Sequence, residues 1–372
     1  MTRGVTSSIF SIYMLLCVLF AIFGGWSLDR FGPRKLGLFM GTLTGLSLIM
    51  TSWAQSPWQL LITYSLLLSL GTGPVYVVAN TTASRWFAKN RGFAVGITSS
   101  GGGMGTIVIA PFAAYLISSY DWRTAFVVLG VISWIGIVAV SLPLKKDPQD
   151  IGLLPDGVKV EPPQRDVQNT KEDVQPAAFT LGQALKINQF WLLEFAWVFF
   201  SLSLHMVLVH IVAYAVDMGI SRMDAAVILS LIGLANIPGR MVVGKLSDTM
   251  GRKALGVTCT LIQFGTLLWL MRADQLWMLY LFAPVFGFMW GGSGTVVTVL
   301  IGDIFGTRSL GPIMGMMTAG WAFGAAIGPS IGGFIFDVNG DYFMAFAAGA
   351  TALIVVVCLL ALIKRAPNAA LQ

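Results

Sequence analysis

Apolar residues run along this chain in long blocks, and a membrane-spanning helix needs about 20 of them. Eleven blocks qualify: 6–28, 36–54, 58–84, 91–119, 123–144, 188–216, 223–247, 254–271, 276–302, 309–336 and 342–363. Between the fifth and sixth lies one long polar stretch, "KKDPQDIGLLPDGVKVEPPQRDVQNTKEDVQP", rich in charge, Pro and Asp. Its composition marks a linker. The pattern therefore predicts an N-terminal helical half at 1–144 with five helices, a linker at 145–187, a six-helix half at 188–363 and a tail at 364–372.

Composition sharpens this into an all-α integral membrane protein. Hydrophobic residues make up 56% and charged ones 11%, with a mean hydropathy of +0.78, which is too apolar for a soluble domain. The net charge of +6 has its source in loops on one face of the membrane, so it implies no nucleic-acid partner. Eighteen Lys and Arg fall on the side holding the 29–35 and 85–91 loops, the linker, the 245–253 loop, Arg308 and the C-terminus, against four (Arg3, Arg123, Arg222 and Arg272) on the other. The positive-inside rule puts the first set in the cytoplasm and Met1 outside. Cys17, Cys259 and Cys358 stand in separate apolar blocks and offer neither a disulfide framework nor a metal site. The N-terminal run is too long for a cleaved signal and lacks a small-residue cleavage site.

The two halves repeat. "GGWSLDRFGPRK" at 24–35 answers "VGKLSDTMGRK" at 243–253, and Gly25 and Asp29 precede Gly244 and Asp248 by 219 residues. Gly101 and Gly105 precede Gly320 and Gly324 by the same interval. Parallel repeats about a pseudo-two-fold axis are a transporter signature. The repeated loop follows one helix in the first half and two in the second, so the pattern reads as a twelve-helix protein with eleven helices present, lacking the first.

At these loops the sequence resembles the major facilitator superfamily, whose G-x-x-x-D-R-x-G-R-R pattern is met by Gly25, Asp29, Arg30, Gly32, Arg34 and Lys35, with Pro33 as an extra residue. "WFAKNRGFAVG" at 86–96 is similar to the YFxKRRxLAxG stretch of the monocarboxylate porter family. That resemblance implies two pseudo-symmetric helical halves, gating roles for Asp29, Arg30, Gly32, Arg34 and Asp248, and an Arg on the eighth helix that meets a substrate carboxylate. Here the family's Asp-x-x-x-Arg reads Asn236-x-x-x-Arg240, so an Asp proton relay does not carry over. Related oxalate/formate exchangers place a Lys three residues after a Trp on the eleventh helix. This chain has Trp321 followed by Gly324 there, which points to a substrate with one carboxylate.

Independently of any family, Arg240 lies inside an apolar run, eight residues before Asp248. That is roughly 12 Å deep at about 1.5 Å per residue, too far for easy snorkelling. A guanidinium there suits a carboxylate, which it grips with two parallel hydrogen bonds. Asn236, one turn away, either orients that fork or bonds a neighbouring helix. Tyr76 and Asn80, also one turn apart, line the cavity or pack between helices. Trp290, before "GGSGTVVT", caps a pocket or fills space. His210, Tyr214 and Asp217 share one helical stripe, whereas His205 lies about 140° away and reads as structural. Arginine does not titrate in the physiological range, so a proton-coupled carrier needs another group. Asp217 or His210 is the candidate, the alternative being that Asp217 merely ends its helix near the headgroups. The small-xxx-small glycines at 92, 96, 101 and 105 and from 311 to 332 read as close helix packing.

No nucleotide loop, catalytic carboxylate pair or metal-ligand cluster appears, which leaves no chemistry for a pump or an enzyme and implies no cofactor. The expectation is a monomeric secondary transporter in the cytoplasmic or inner cell membrane that moves small monocarboxylates, such as lactate or pyruvate, with a proton. Carboxylate exchange without protons and a non-transporting membrane sensor remain as alternatives.

Overall fold

A computed structural model describes residues 3–157, 179–307 and 309–363. Arg308 and most of the predicted linker and tail lie outside the described residues. The described chain is all helix, with no β-strand. Nine of its helical stretches are long and apolar enough to cross a membrane.

Two predicted spans run together in α1 (Arg3–Ser52), which breaks at Gly32, where φ is 80° and ψ is 165°. The predicted loop at 29–35 thus shrinks to a single turn residue. Glycine alone takes that backbone conformation without strain, and Pro33 is preset to start the next helix. The 58–84 block is interrupted rather than continuous. It comprises α2 (Pro57–Leu60), a π-helical turn over Leu61–Leu67, α3 (Leu68–Thr72) and, past Gly73 and Pro74, α4 (Val75–Trp86). Then come α5 (Arg91–Ser119) and α6 (Trp122–Ser141), the latter N-capped by Asp121, whose Oδ1 accepts from Thr124 N at 2.5 Å.

The described part of the linker is ordered. Short 3₁₀ turns at Pro148–Ile151 and Pro155–Gly157 lead Asp156 to accept from the backbone of Ala88 and Lys89. At its far end stands α7 (Leu181–Ala184). The remaining helices are α8 (Asn188–Asp217), α9 (Arg222–Met250), α10 (Arg252–Leu270), α11 (Leu276–Phe305), α12 (Leu310–Asn339) and α13 (Phe343–Leu362). The main core lies among these, built around Phe190, Phe200, Phe282, Phe286 and Phe346.

Helices α1 to α6 meet α8 to α13 chiefly through two pairs, α1 with α12 and α5 with α9, with smaller contacts of α4 and α5 on α11 and of α4 on α12. Each main crossing is made backbone to backbone by glycine. A Cβ on Gly25 would overlap the Gly311 carbonyl, and one on Gly92 would overlap that of Gly244. The two pairs are the same contact repeated, since Gly25 and Gly92 precede Gly244 and Gly311 by 219 residues each. Without water to drive association, such close approach is how membrane helices gain dispersion energy.

A polar network closes the linker side. Arg85 pairs with Asp29 at 2.5 Å and donates to Thr307 O at 3.1 Å. Arg91 pairs with Asp303 at 2.7 Å, and Arg252 bridges Asp303 and Asp248. Lys146 of the linker donates to Asp29 O. Farther along α5, Gly103 meets Ile237 of α9, while Gly101 and Gly105, whose counterparts Gly320 and Gly324 pack on α8, have no neighbour among the described residues.

Candidate anion-binding site

Arg240 sits on the linker-side half of α9, held in place by glycines on both flanks. A Cβ on Gly96 of α5 would strike the Arg240 carbonyl, and one on Gly291 of α11 would strike the Asn236 carbonyl. These two contacts fix the α9 backbone between the halves. Arg240 is half-buried and its Nε donates to Asn236 Oδ1 at 2.8 Å. No described ion pair includes it. Asn236 is 4% exposed, and its amide nitrogen has no acceptor among the described residues. The pair thus presents donors only: the guanidinium ends and a buried amide N–H. Such a set demands an acceptor, because an unmet buried donor costs about 1–3 kcal/mol.

The other predicted site residues are placed unequally around this pair. Trp290 adjoins Gly291 in sequence and packs against the main core. Tyr76 reaches across the halves, its hydroxyl 3.2 Å from Thr298 Oγ1 on α11, two turns from Gly291 toward the linker side. Asn80 is buried, and its oxygen takes hydrogen bonds from Thr98 at 3.0 Å and Ser99 at 2.9 Å. In this conformation it ties α4 to α5.

The His210, Tyr214 and Asp217 stripe turns toward α12, α13 and the end of α10. His210 Nε2 lies 2.9 Å from Pro329 O, and since a carbonyl only accepts, that nitrogen carries the hydrogen. Tyr214 shares its hydroxyl between Leu270 O and Ala273 O at 3.2 and 2.8 Å. The ring of Tyr342 packs against both. Asp217, the last residue of α8, is exposed. His205 folds back onto Ser201 O at 2.9 Å.

The motif residues separate in function. Asp29 takes Arg85 as its cation, whereas Arg30 is exposed and lies over the rings of Trp26 and Phe31. Arg34 is exposed as well, and Gly32 supplies the break. Asp248 accepts from Gly92 N and Phe93 N.

The sequence pattern of the Major Facilitator Superfamily matches residues 1–272 and 241–372, which together span the chain. The chain belongs to the major facilitator superfamily. The facilitator is 28% identical over 377 residues to monocarboxylate transporter 12 of Xenopus laevis, covering 96% of this chain and 80% of that one. To the oxalate:formate antiporter of Oxalobacter formigenes it is 28% identical over 320 residues, covering 83% and 71%. In fold it is similar to the E. coli fucose:proton symporter, with a TM-score of 0.74 at 15% identity over 96% of this chain and 90% of that one. It is a multi-pass membrane transporter, and its relatives are transporters rather than enzymes.

Within this facilitator the repeat makes the candidate site one-sided. Arg240 and Asn236 follow Ala21 and Cys17 by 219 residues, so the equivalent place in the first half carries no cation. Ala21 still makes the equivalent helix contact, with Gly315 standing where Gly96 stands opposite Arg240. Glu194 is not among the sequence candidates, yet it is the carboxyl on α8 that the fold buries, at 7% exposure. Its only signal is an acid placed early in a long apolar block.

Proposed function

We propose that this facilitator is a proton-coupled transporter of small monocarboxylates of the lactate or pyruvate kind, working as a monomer by alternating access in the cytoplasmic membrane. The observation that carries the reading is the donor-only pair of Arg240 and Asn236. A carboxylate offers two acceptor oxygens in the geometry a guanidinium fork matches. With Ala21 at the equivalent position of the first half there is one cation to satisfy, which supports a single carboxylate. The polar network and glycine crossings that seal the halves on the linker side fit one end state of a rocking cycle. Likeness to a protein named as a monocarboxylate transporter supports the substrate class. Tyr76 and Trp290 shape the space beside the clamp, and Asn80 steadies the helix that carries Tyr76.

Proton coupling answers an electrostatic demand. Moving one negative charge inward against an inside-negative potential costs about 2.3 kcal/mol per 100 mV. The stripe of Asp217, His210 and Tyr214 is where protons meet the chain on the side away from the linker; Asp217 receives them, and the other two hold the helix end. Exchange of anions without protons is the second reading, supported by the likeness to the oxalate:formate antiporter.

Counterflow of labelled lactate in proteoliposomes tests transport itself, since a membrane sensor would show none. Arg240→Lys keeps the charge and loses the fork, so uptake is expected to fall at least tenfold at normal membrane abundance. Near-normal uptake by Arg240→Gln would overturn the clamp. An imposed pH gradient separates symport from exchange.

A further inference from the structure

We infer that Glu194 is the group that holds the coupled proton, bound while α8 and α12 are sealed together and released when the linker side opens. The inference rests on the proton-coupled reading above and deepens it.

Glu194 lies six residues into α8 from Asn188, about 9 Å along the helix axis. Its carboxyl is wedged against α12 at Gly320, where any side chain would overlap Oε1. Its Oε2 is buried and has no hydrogen-bond partner among the described residues. None of the charged or titratable groups on the elements around it makes a described ion pair with it. Helix α8 otherwise carries His205, His210 and Asp217, α12 carries Asp337, and α13 carries no acid or base. On α11 Asp303 is taken by Arg91 and Arg252. On α9 are Arg222, Asp224, Arg240, Lys245 and Asp248, and Lys186 stands just before α8. Arg240 is bonded to Asn236, and Asp248 to Arg252.

A carboxylate stripped of water, with no described ion pair and one oxygen unfilled, is the state that proteins avoid. One proton converts it to the neutral acid. The other acids of the interface differ in kind: Asp29, Asp248 and Asp303 all have arginine partners, and Asp217 is exposed.

The place of Glu194 in the cycle follows from α12. That helix is also the one that closes the linker side against α1, through Gly311 and Gly315, and Gly320 lies little more than a turn beyond them. When α12 leaves α1, water reaches the seam that buries Glu194 and the acid loses its proton to the linker side. Resealing carries the charged acid back against α12 as the opposite side opens, and it takes its next proton from that side. One proton crosses with each substrate carboxylate, and net charge movement is zero.

Two measurements on the reconstituted full chain decide this. Infrared difference spectra should show a buried protonated-carboxyl C=O band in wild type at neutral pH, and Glu194→Gln should abolish it. The ratio of acid-driven lactate uptake to lactate exchange at equal pH should fall at least tenfold in Glu194→Gln, while Glu194→Asp keeps a pH response. Absence of the band in wild type, or a Glu194→Gln protein with the wild-type ratio, would overturn the assignment. If wild type moves no lactate, the substrate reading fails by itself, and the band still decides whether Glu194 holds a proton.

Discussion

The carboxylate of Asp248, near the end of α9, accepts hydrogen bonds from Gly92 N at 2.8 Å and Phe93 N at 3.2 Å in the first turn of α5. It satisfies two donors that no intrahelical carbonyl reaches and sets a negative charge at the positive end of a helix. Because α9 and α5 belong to opposite halves, this one side chain links helix capping to closure of the linker side. Asp248→Asn should weaken that closure by about 1 kcal/mol, or roughly fivefold in the balance of conformers. Hydrogen exchange at the amides of residues 92–96 is the readout, and an unchanged rate would show that the glycine contacts hold the gate unaided.

Two helical glycines make contrasting predictions. A Cβ at Gly324 would overlap the Val198 carbonyl of α8, whereas one at Gly265 of α10 meets open space. Gly324→Ala should therefore cost about 1–3 kcal/mol by overpacking. Gly265→Ala should be neutral or gain up to about 1 kcal/mol from helix propensity. Thermal unfolding in detergent should place the two variants on opposite sides of wild type.

Asn236→Asp would set a carboxylate beside the Arg240 guanidinium, where Oδ1 now accepts from Nε at 2.8 Å. The new acid competes with substrate for the fork. Affinity for lactate should drop about tenfold at neutral pH, by the worth of a charge-assisted hydrogen bond. Protonating the new Asp withdraws the competitor, so affinity should recover as pH falls. Equilibrium binding across pH tests the sign, and equal affinity at all pH values would mean that Asn236 does not border the bound anion.

In the proposed scheme Asp217, exposed at the end of α8, acts on the proton supply from outside rather than holding the coupled proton. Asp217→Asn should move half-maximal acid-driven uptake to lower external pH by a few tenths of a unit, an effect that fades above physiological salt. A profile flattened outright by Asp217→Asn would place the proton-carrying carboxyl at Asp217 instead of at Glu194.

Several features are legible in the residue order because local rules govern them. The spans follow from unbroken apolar length, and the 219-residue repeat already pairs Gly25 with Gly244 and Asp29 with Asp248. Arg240 stands out from sequence alone, since a charge that deep needs a reason. Helical spacing also puts Asn236 on its face, and the hydrogen bond between them is a one-turn contact.

What tertiary structure decides is which neighbour each polar group meets, and spacing along one helix does not encode the partner on another. Asp29 takes its cation from Arg85, 56 residues on, instead of Arg30 or Arg34 beside it in the motif. The stripe of His210 and Tyr214 is real as a stripe, yet only the packing of α8 against α12 and the end of α10 aims it at Pro329 and Ala273. Asn80 looks like a cavity residue by type, and its oxygen is filled by Thr98 and Ser99 because α5 lies against α4. Glu194 is the sharpest case. Sequence shows an acid near the start of an apolar helix, and only the glycine at 320 on a distant helix lets α12 close over it, with Oε2 left unpartnered among the described residues.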